Sequence, residues 1–199
     1  MSVIYGFRGA NGSGKSTLVR QLMKHIGVVA DLTEPSGKVW GYELQNNIRV
    51  LGRYETQCGG VDAIKEVRVP GQSGFVNTRK GITLLASLGH VIFEGVLWST
   101  VFKSSDLIAR ALPQHHFIFA MLDTPAEVCI ERVRARRLEK GNHKPFNPRE
   151  LLSKVEQIRR RQEDLKKAGY DTRTIPYQSA LSTVCGWLAE EGVLIQPPV

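Results

Sequence analysis

Apolar positions recur along this chain in two alternating periods. Residues 2 to 7, "SVIYGF", form a short apolar run that predicts a buried strand before a glycine-rich turn. Leu18, Leu22 and Ile26 then recur at intervals of four, which predicts a helix. Two β-rich runs follow, "VWGYELQ" and "IRVLGRY", joined near Asn46 and Asn47. Asn tolerates positive φ, so a hairpin over about 38–54, inserted into the main plan, is expected. Residues 72 to 88 read as a helix closed by Gly89, and "HVIFEG" as an apolar strand ending in Glu94. A short helix is predicted over about 104–112, started by a serine and stopped before Pro113.

"HHFIFAMLD" is continuously apolar, as a strand covered on both faces must be. A helix over about 125–139 comes next, then the polar break "KGNHKPFN". Asn147, Pro148 and Glu150 suit the N-cap, first and third positions of another helix, with Leu151, Val155, Ile158 and Leu165 as its apolar stripe. A last strand is expected at 171–176 and a last helix at 180–191, with Ser179 as a cap. Strands alternating with helices predict one α/β domain spanning residues 1–199. The expected form is a three-layer α/β/α plan around a mostly parallel five-stranded sheet.

Composition adds limits. Apolar residues at 42% argue against wholesale disorder, and no apolar run approaches the roughly 18 residues that span a bilayer. With no signal-peptide layout at its start, the chain is expected in the cytoplasm, away from membranes. Cys58, Cys129 and Cys185 are too few and too scattered for a disulfide framework or zinc spacing. Cys129 and Cys185 sit in helical apolar patterns and are expected in the core. Charge is localised: residues 132–161 hold eleven Lys and Arg against three Glu, a local +8 that equals the whole-chain excess. Such a block suits a polyanion, whether nucleotide or nucleic-acid backbone, although a solvated helix face would look the same.

One motif carries specific chemistry. "GANGSGKST" matches G-x-x-x-x-G-K-[ST] between an apolar strand and an amphipathic helix. Gly9, Ala10, Asn11, Gly12, Ser13, Gly14, Lys15, Ser16 and Thr17 thus form a candidate phosphate cradle. Its backbone N–H groups and helix dipole face the phosphates of ATP. Lys15 would meet the β- and γ-phosphates, and the Ser16 hydroxyl would bind Mg²⁺. The motif alone does not separate a kinase from a motor or switch.

Further residues favour a kinase. Arg132 and Arg136 in "LDTPAEVCIERVRARR" share one helix face and could close over a transferring phosphoryl group, with 132–150 as a lid; they could also be surface arginines. Glu94, at a strand's C-terminal end, could hold Mg²⁺ through water or orient an acceptor hydroxyl. Asp62 in "LGRYETQCGGVDAI" could accept that hydroxyl's proton, with Gly59 and Gly60 letting the backbone approach the substrate. Arg79 and Lys80 could instead hold an acceptor monophosphate.

The P-loop, the Arg132/Arg136 helix and the fold plan resemble the small nucleotide and polynucleotide kinases. The hairpin followed by "GRYETQCGGVD" resembles, more narrowly, the bacteriophage 5-hydroxymethyluracil DNA kinases. That resemblance implies ATP-dependent phosphorylation of the base's 5-hydroxymethyl group within DNA, a step toward hypermodified thymine. Asp62 would then face a base-borne alcohol, and a duplex would present a flipped base. Trp40, Tyr42, Tyr54, Phe75 and Trp98 are candidate stacking surfaces. A deoxynucleoside monophosphate kinase, a polynucleotide 5′-hydroxyl kinase and a non-catalytic nucleotide-sensing or nucleic-acid-binding module remain open alternatives, with a free nucleotide as the other possible acceptor.

Overall fold

The computed structural model describes residues 2–33, 37–55, 59–63 and 74–195. Cys58 and the Phe75 side chain lie outside the described residues. The chain opens with strand β1 (Val3–Arg8), helix α1 (Lys15–Ile26) and strands β2 (Val28–Thr33), β3 (Val39–Leu44) and β4 (Ile48–Leu51). After a turn of 3₁₀ helix at Val61–Ala63 come α2 (Gly74–Ala86), β5 (His90–Glu94), α3 (Val96–Thr100), α4 (Phe102–Ala111) and β6 (His116–Leu122). The series ends with α5 (Ala126–Glu139), α6 (Pro148–Lys167), β7 (Asp171–Ile175) and α7 (Ala180–Glu190).

The strands form one sheet in the order β2-β3-β4-β5-β1-β6-β7. From β4 through β7 every neighbouring pair is parallel, whereas β2–β3 and β3–β4 are antiparallel. The sheet is mostly parallel, as expected, but it has seven strands rather than five. The hairpin is not a separate insertion: its second strand, β4, belongs to the parallel sheet, with Val50 opposite Ile92. Strand β2 escaped prediction because its residues are largely exposed at the sheet edge and show no in–out alternation.

Strand β1 shows how the sheet divides the core. Val3, Tyr5 and Phe7 point to one face, against Leu18, Val19, Leu22 and Ile26 of α1 and Val184 and Leu188 of α7. Ile4 points to the other, with Phe93, Phe117 and Phe119, under Ile82 and Leu85 of α2, Ile108 of α4 and Leu165 of α6. Cys129 and Cys185 are buried free thiols, as their helical patterns imply. The predicted cap at Asn147 forms: its side chain accepts from the Arg149 N–H at 3.1 Å. Ser179 makes no such cap, and α4 begins at Phe102 behind Val101 rather than at a serine. Helix α3, five residues directly after β5, was too short for periodicity to reveal. No helix among the described residues is long and apolar enough to cross a membrane.

Leu44 pairs with Ile48, and in the three-residue connection between them Asn46 and Asn47 have φ of 57° and 60°, left-handed values that Asn tolerates better than most residues. Asn46→Val should lower stability by about 1–2 kcal/mol, because a β-branched residue resists that conformation. Asn46→Gly should not. Urea unfolding of the two variants measures the difference.

Candidate functional site

The C-terminal ends of β1, β4, β5 and β6 converge on an open cleft of about 1290 Å³. Gly12, Lys15, Ser16, Asp62, Glu94, Arg132 and Arg136 all line it. Ligands of open α/β sheets bind at this edge, because the strands hand over to loops and helix N-termini there.

The P-loop wraps the start of α1. Gly12 has φ of +83°, and a Cβ there would run into the backbone of Cys129, so the loop can sit on α5 only with glycine. The Thr124 hydroxyl donates to Ser13 O at 2.7 Å and ties the loop to the end of β6. The buried Lys15 ammonium donates to Ala10 O at 3.1 Å and lies 4.0 Å from Glu94 Oε2. Burial pulls its pKa down, and Glu94 opposes the shift.

Glu94 is 2% exposed. Its Oε1 accepts from the Ser16 hydroxyl at 2.6 Å. Burial raises its pKa against the pull of Lys15 and Ser16. A raised carboxyl pKa means the folded form binds the proton more tightly. That contribution to stability is present at low pH and is lost as pH climbs from the ordinary carboxylate value through the raised one. The pair of hard oxygens, one hydroxyl and one carboxylate, suits Mg²⁺ when phosphate and water complete the shell.

The stretch that raised the acceptor question is pinned at its described ends. Arg53 and Gly60 pair across it, with Gly60 N–H donating to Arg53 O at 3.1 Å. Gly59 lines the cleft, and both glycines are also required by packing on protein. A Cβ on Gly60, at φ +95°, would lie 2.5 Å from Glu94 Oε1 and 2.6 Å from Glu94 O. One on Gly59 would lie 2.5 Å from the Tyr54 ring. These glycines let the turn pack on protein.

Asp62 follows directly. Its Oδ2 accepts from the backbone N–H of Val96 at 2.6 Å and Leu97 at 3.3 Å, capping α3. Crowding by protein raises its pKa, although the residue keeps an exposed edge, and the two N–H groups and Lys15 oppose the rise. Both hydrogen bonds fall on Oδ2.

The basic block divides its labour. Arg132 donates to Gly12 O at 3.3 Å and stacks over Tyr177, and Arg136 also lines the cleft. Arg134 and Arg137 lie over Phe146, and Arg137 donates to Lys144 O at 2.8 Å, so these two hold the α5–α6 loop. Arg160 pairs with Glu156, and Arg161 with Asp164. Lys154 of α6 lines the cleft and was missed by sequence reasoning; only its place beside the apolar stripe marks it.

Other expectations move. Arg79 and Lys80 line a separate groove with Thr83 and Leu107, away from the P-loop cleft, so they supply no acceptor clamp there. Tyr42, Tyr54 and Trp98 are each at most 6% exposed, which leaves them core residues rather than free stacking surfaces. Trp40 packs, half-buried, against the second core cluster.

Comparison with known proteins agrees with this geometry. A family model described as 5-hmdU DNA kinase matches residues 1–170. The chain is 30% identical over 161 residues to a 5-hmdU DNA kinase of Delftia phage PhiW-14, covering 78% of this chain and 60% of that protein. It is 33% identical over 165 residues to one from Pseudomonas phage PaMx11, covering 77% and 80%. Among solved structures, one from the PezAT toxin–antitoxin system of Streptococcus pneumoniae superposes with a TM-score of 0.53. It covers 89% of this chain and 68% of that one at 16% identity, which supports the fold.

Gly60→Ala should cost about 1–3 kcal/mol, from backbone strain together with the clash on Glu94. Gly141→Ala is the control: φ is +64° but nothing lies within 4 Å of the added carbon. Thermal unfolding of both variants separates strain from clash, and only Gly60→Ala should also weaken nucleotide binding.

Proposed function

Since the chain belongs to the 5-hmdU DNA kinase family, we propose that it transfers the γ-phosphoryl group of ATP to the 5-hydroxymethyl group of hydroxymethyluracil within DNA. Residues 1–199 act as one kinase domain, with 132–150 as its lid. The observation that carries this reading is the shared cleft of Lys15, Ser16, Glu94 and Asp62. A phosphate cradle and a carboxylate of the kind an alcohol acceptor needs line one cleft, which supports the reading.

Each residue has a part. The P-loop N–H groups and Lys15 hold the β- and γ-phosphates. Ser16 and Glu94 would hold Mg²⁺, which would supply neutralisation of the phosphate charge. Asp62 aligns the acceptor hydroxyl and takes its proton, its Oδ2 steadied by α3 while Oδ1 serves the substrate. The oxygen attacks phosphorus as the bond to the ADP leaving oxygen breaks, and Arg132 and Arg136 meet the charge on the phosphoryl oxygens. Arg136 and Lys154 extend positive charge along the cleft toward a DNA backbone. For a phage enzyme the site of action is the host cytoplasm.

A monophosphate-kinase reading loses its motive with Arg79 and Lys80 outside the cleft. The test is transfer of label from ATP to DNA containing hydroxymethyluracil, to unmodified DNA ends and to free nucleotides. Label only on hydroxymethyluracil DNA is expected. Label confined to free nucleotide, or removable from unmodified DNA by an end-specific phosphatase, would overturn the reading.

Lys15→Ala should abolish transfer with the fold intact by circular dichroism. Asp62→Asn should lower kcat on the order of 10²-fold or more with DNA binding retained. A base must be deprotonated to act. Wild-type kcat should therefore rise with pH through a limb above the ordinary carboxylate range, because the Asp62 pKa is raised. In Asp62→Asn the part of that limb owed to Asp62 should be lost, leaving only what Glu94 contributes.

A further inference from the structure

Arg8, the last residue of β1, is 3% exposed, yet no carboxylate among the described residues lies within ion-pair distance. Its Nη2 donates to Ser99 O at 2.7 Å. Its Nη1 donates to Ser105 Oγ at 3.2 Å and meets Trp98 O at 3.5 Å. The guanidinium lies over the Phe119 ring at 5.9 Å. Loss of water pulls its pKa down to about 10, which leaves it charged at neutral pH. Its counter-charge is the carbonyl end of α3.

Helix α3 is too short to hold itself together. It is pinned three times over. Asp62 caps its N-terminus through Val96 and Leu97. Arg8 holds its C-terminal carbonyls. Between them, Ser99 Oγ donates to Gly95 O at 2.7 Å and accepts from the N–H of Gly9, the first P-loop residue, at 3.2 Å. One turn of helix thus joins the nucleotide cradle to the carboxylate that faces the acceptor. A buried cation without a counter-ion is costly, and an apolar side chain would fill the same space more cheaply. What the apolar residue could not do is grip those carbonyls.

We infer that Arg8 is a positioning residue for phosphoryl transfer: it fixes α3, and through α3 the Asp62 carboxylate, relative to the P-loop. The inference rests on Asp62 being the base or aligner.

The experiment is a double-mutant cycle on the full chain, with Arg8→Met, Asp62→Asn and the pair. Its readouts are kcat, KM for ATP and thermal stability, using hydroxymethyluracil DNA. Arg8→Met should lower kcat about tenfold or more, as a misplaced catalytic group does. KM for ATP should stay within about twofold, and the unfolding temperature should change little, because relief of a buried charge offsets the hydrogen bonds lost to Ser99 O, Trp98 O and Ser105 Oγ. The kcat loss should disappear in the Asp62→Asn background, and Arg8→Lys should restore part of it. Unchanged kcat in Arg8→Met, or the same fold-loss with and without Asp62, would overturn the inference. If Arg8→Met does not fold, Ser99→Ala enters the same cycle, and losses additive with Asp62→Asn overturn it equally. Should Asp62→Asn alone leave turnover intact, the base assignment fails. Should only Arg8→Met be silent, the brace fails and the base assignment stands.

Discussion

The site is built around one buried carboxylate. Glu94 sits at the end of a central parallel strand, almost without solvent, where burial opposes ionisation and its closest partners favour it. Those partners are Ser16 at 2.6 Å and Lys15 at 4.0 Å, both from the first turn of α1. The carboxylate therefore registers α1 and the P-loop against β5. It also fixes the turn at Gly60, which packs so closely on Glu94 that no side chain fits between them. Asp62 stands two residues beyond Gly60 and caps the helix that begins two residues beyond Glu94. Donor cradle and acceptor wall are thus referenced to the same side chain.

Much of this was legible in the sequence, for a physical reason. The P-loop declares itself because close backbone packing round phosphate demands glycine at fixed spacing, followed by Lys and a hydroxyl. Strands β1, β5 and β6 are apolar along their centres because helices cover both faces. The hairpin turn was readable because two consecutive residues must take positive φ, and Asn is among the few that do so readily. Arg132 and Arg136 were paired correctly by helical spacing, and both reach the cleft.

The failures have physical reasons as well. Strand β2 is an exposed edge, so neither burial nor alternation marked it. Helix α3 is held by long-range contacts from Asp62 and Arg8 rather than by its own propensity, and such contacts leave no local signature. Gly59 and Gly60 were read only for backbone approach to a substrate, and their tight packing on Tyr54 and Glu94 left no mark in the sequence, because it calls for the same residue. Arg79 and Lys80 had suitable chemistry in the wrong place, since α2 turns them toward α4. Aromatic residues proposed for base stacking proved to be core, the commoner fate of a large apolar surface.

The distribution of positive charge follows from the same division between packing and chemistry. The net excess lies in one segment, yet Arg134, Arg137, Arg160 and Arg161 are engaged with an aromatic ring, a loop carbonyl or a neighbouring carboxylate. A count of basic residues therefore overstates the field available to a polyanion. The cations that line the cleft include Lys15, Arg132, Arg136 and Lys154, and they are spread over the P-loop helix, α5 and α6. Charges mounted on three elements converge on phosphate only when those elements hold their relative places. Thr124 ties the P-loop to the end of β6, just before α5, and the Cys129–Val133–Leu151 cluster locks α5 to α6. The apolar contacts between α5 and α6 are thus part of the electrostatics: they set where the charge points, while the sequence sets only how much there is.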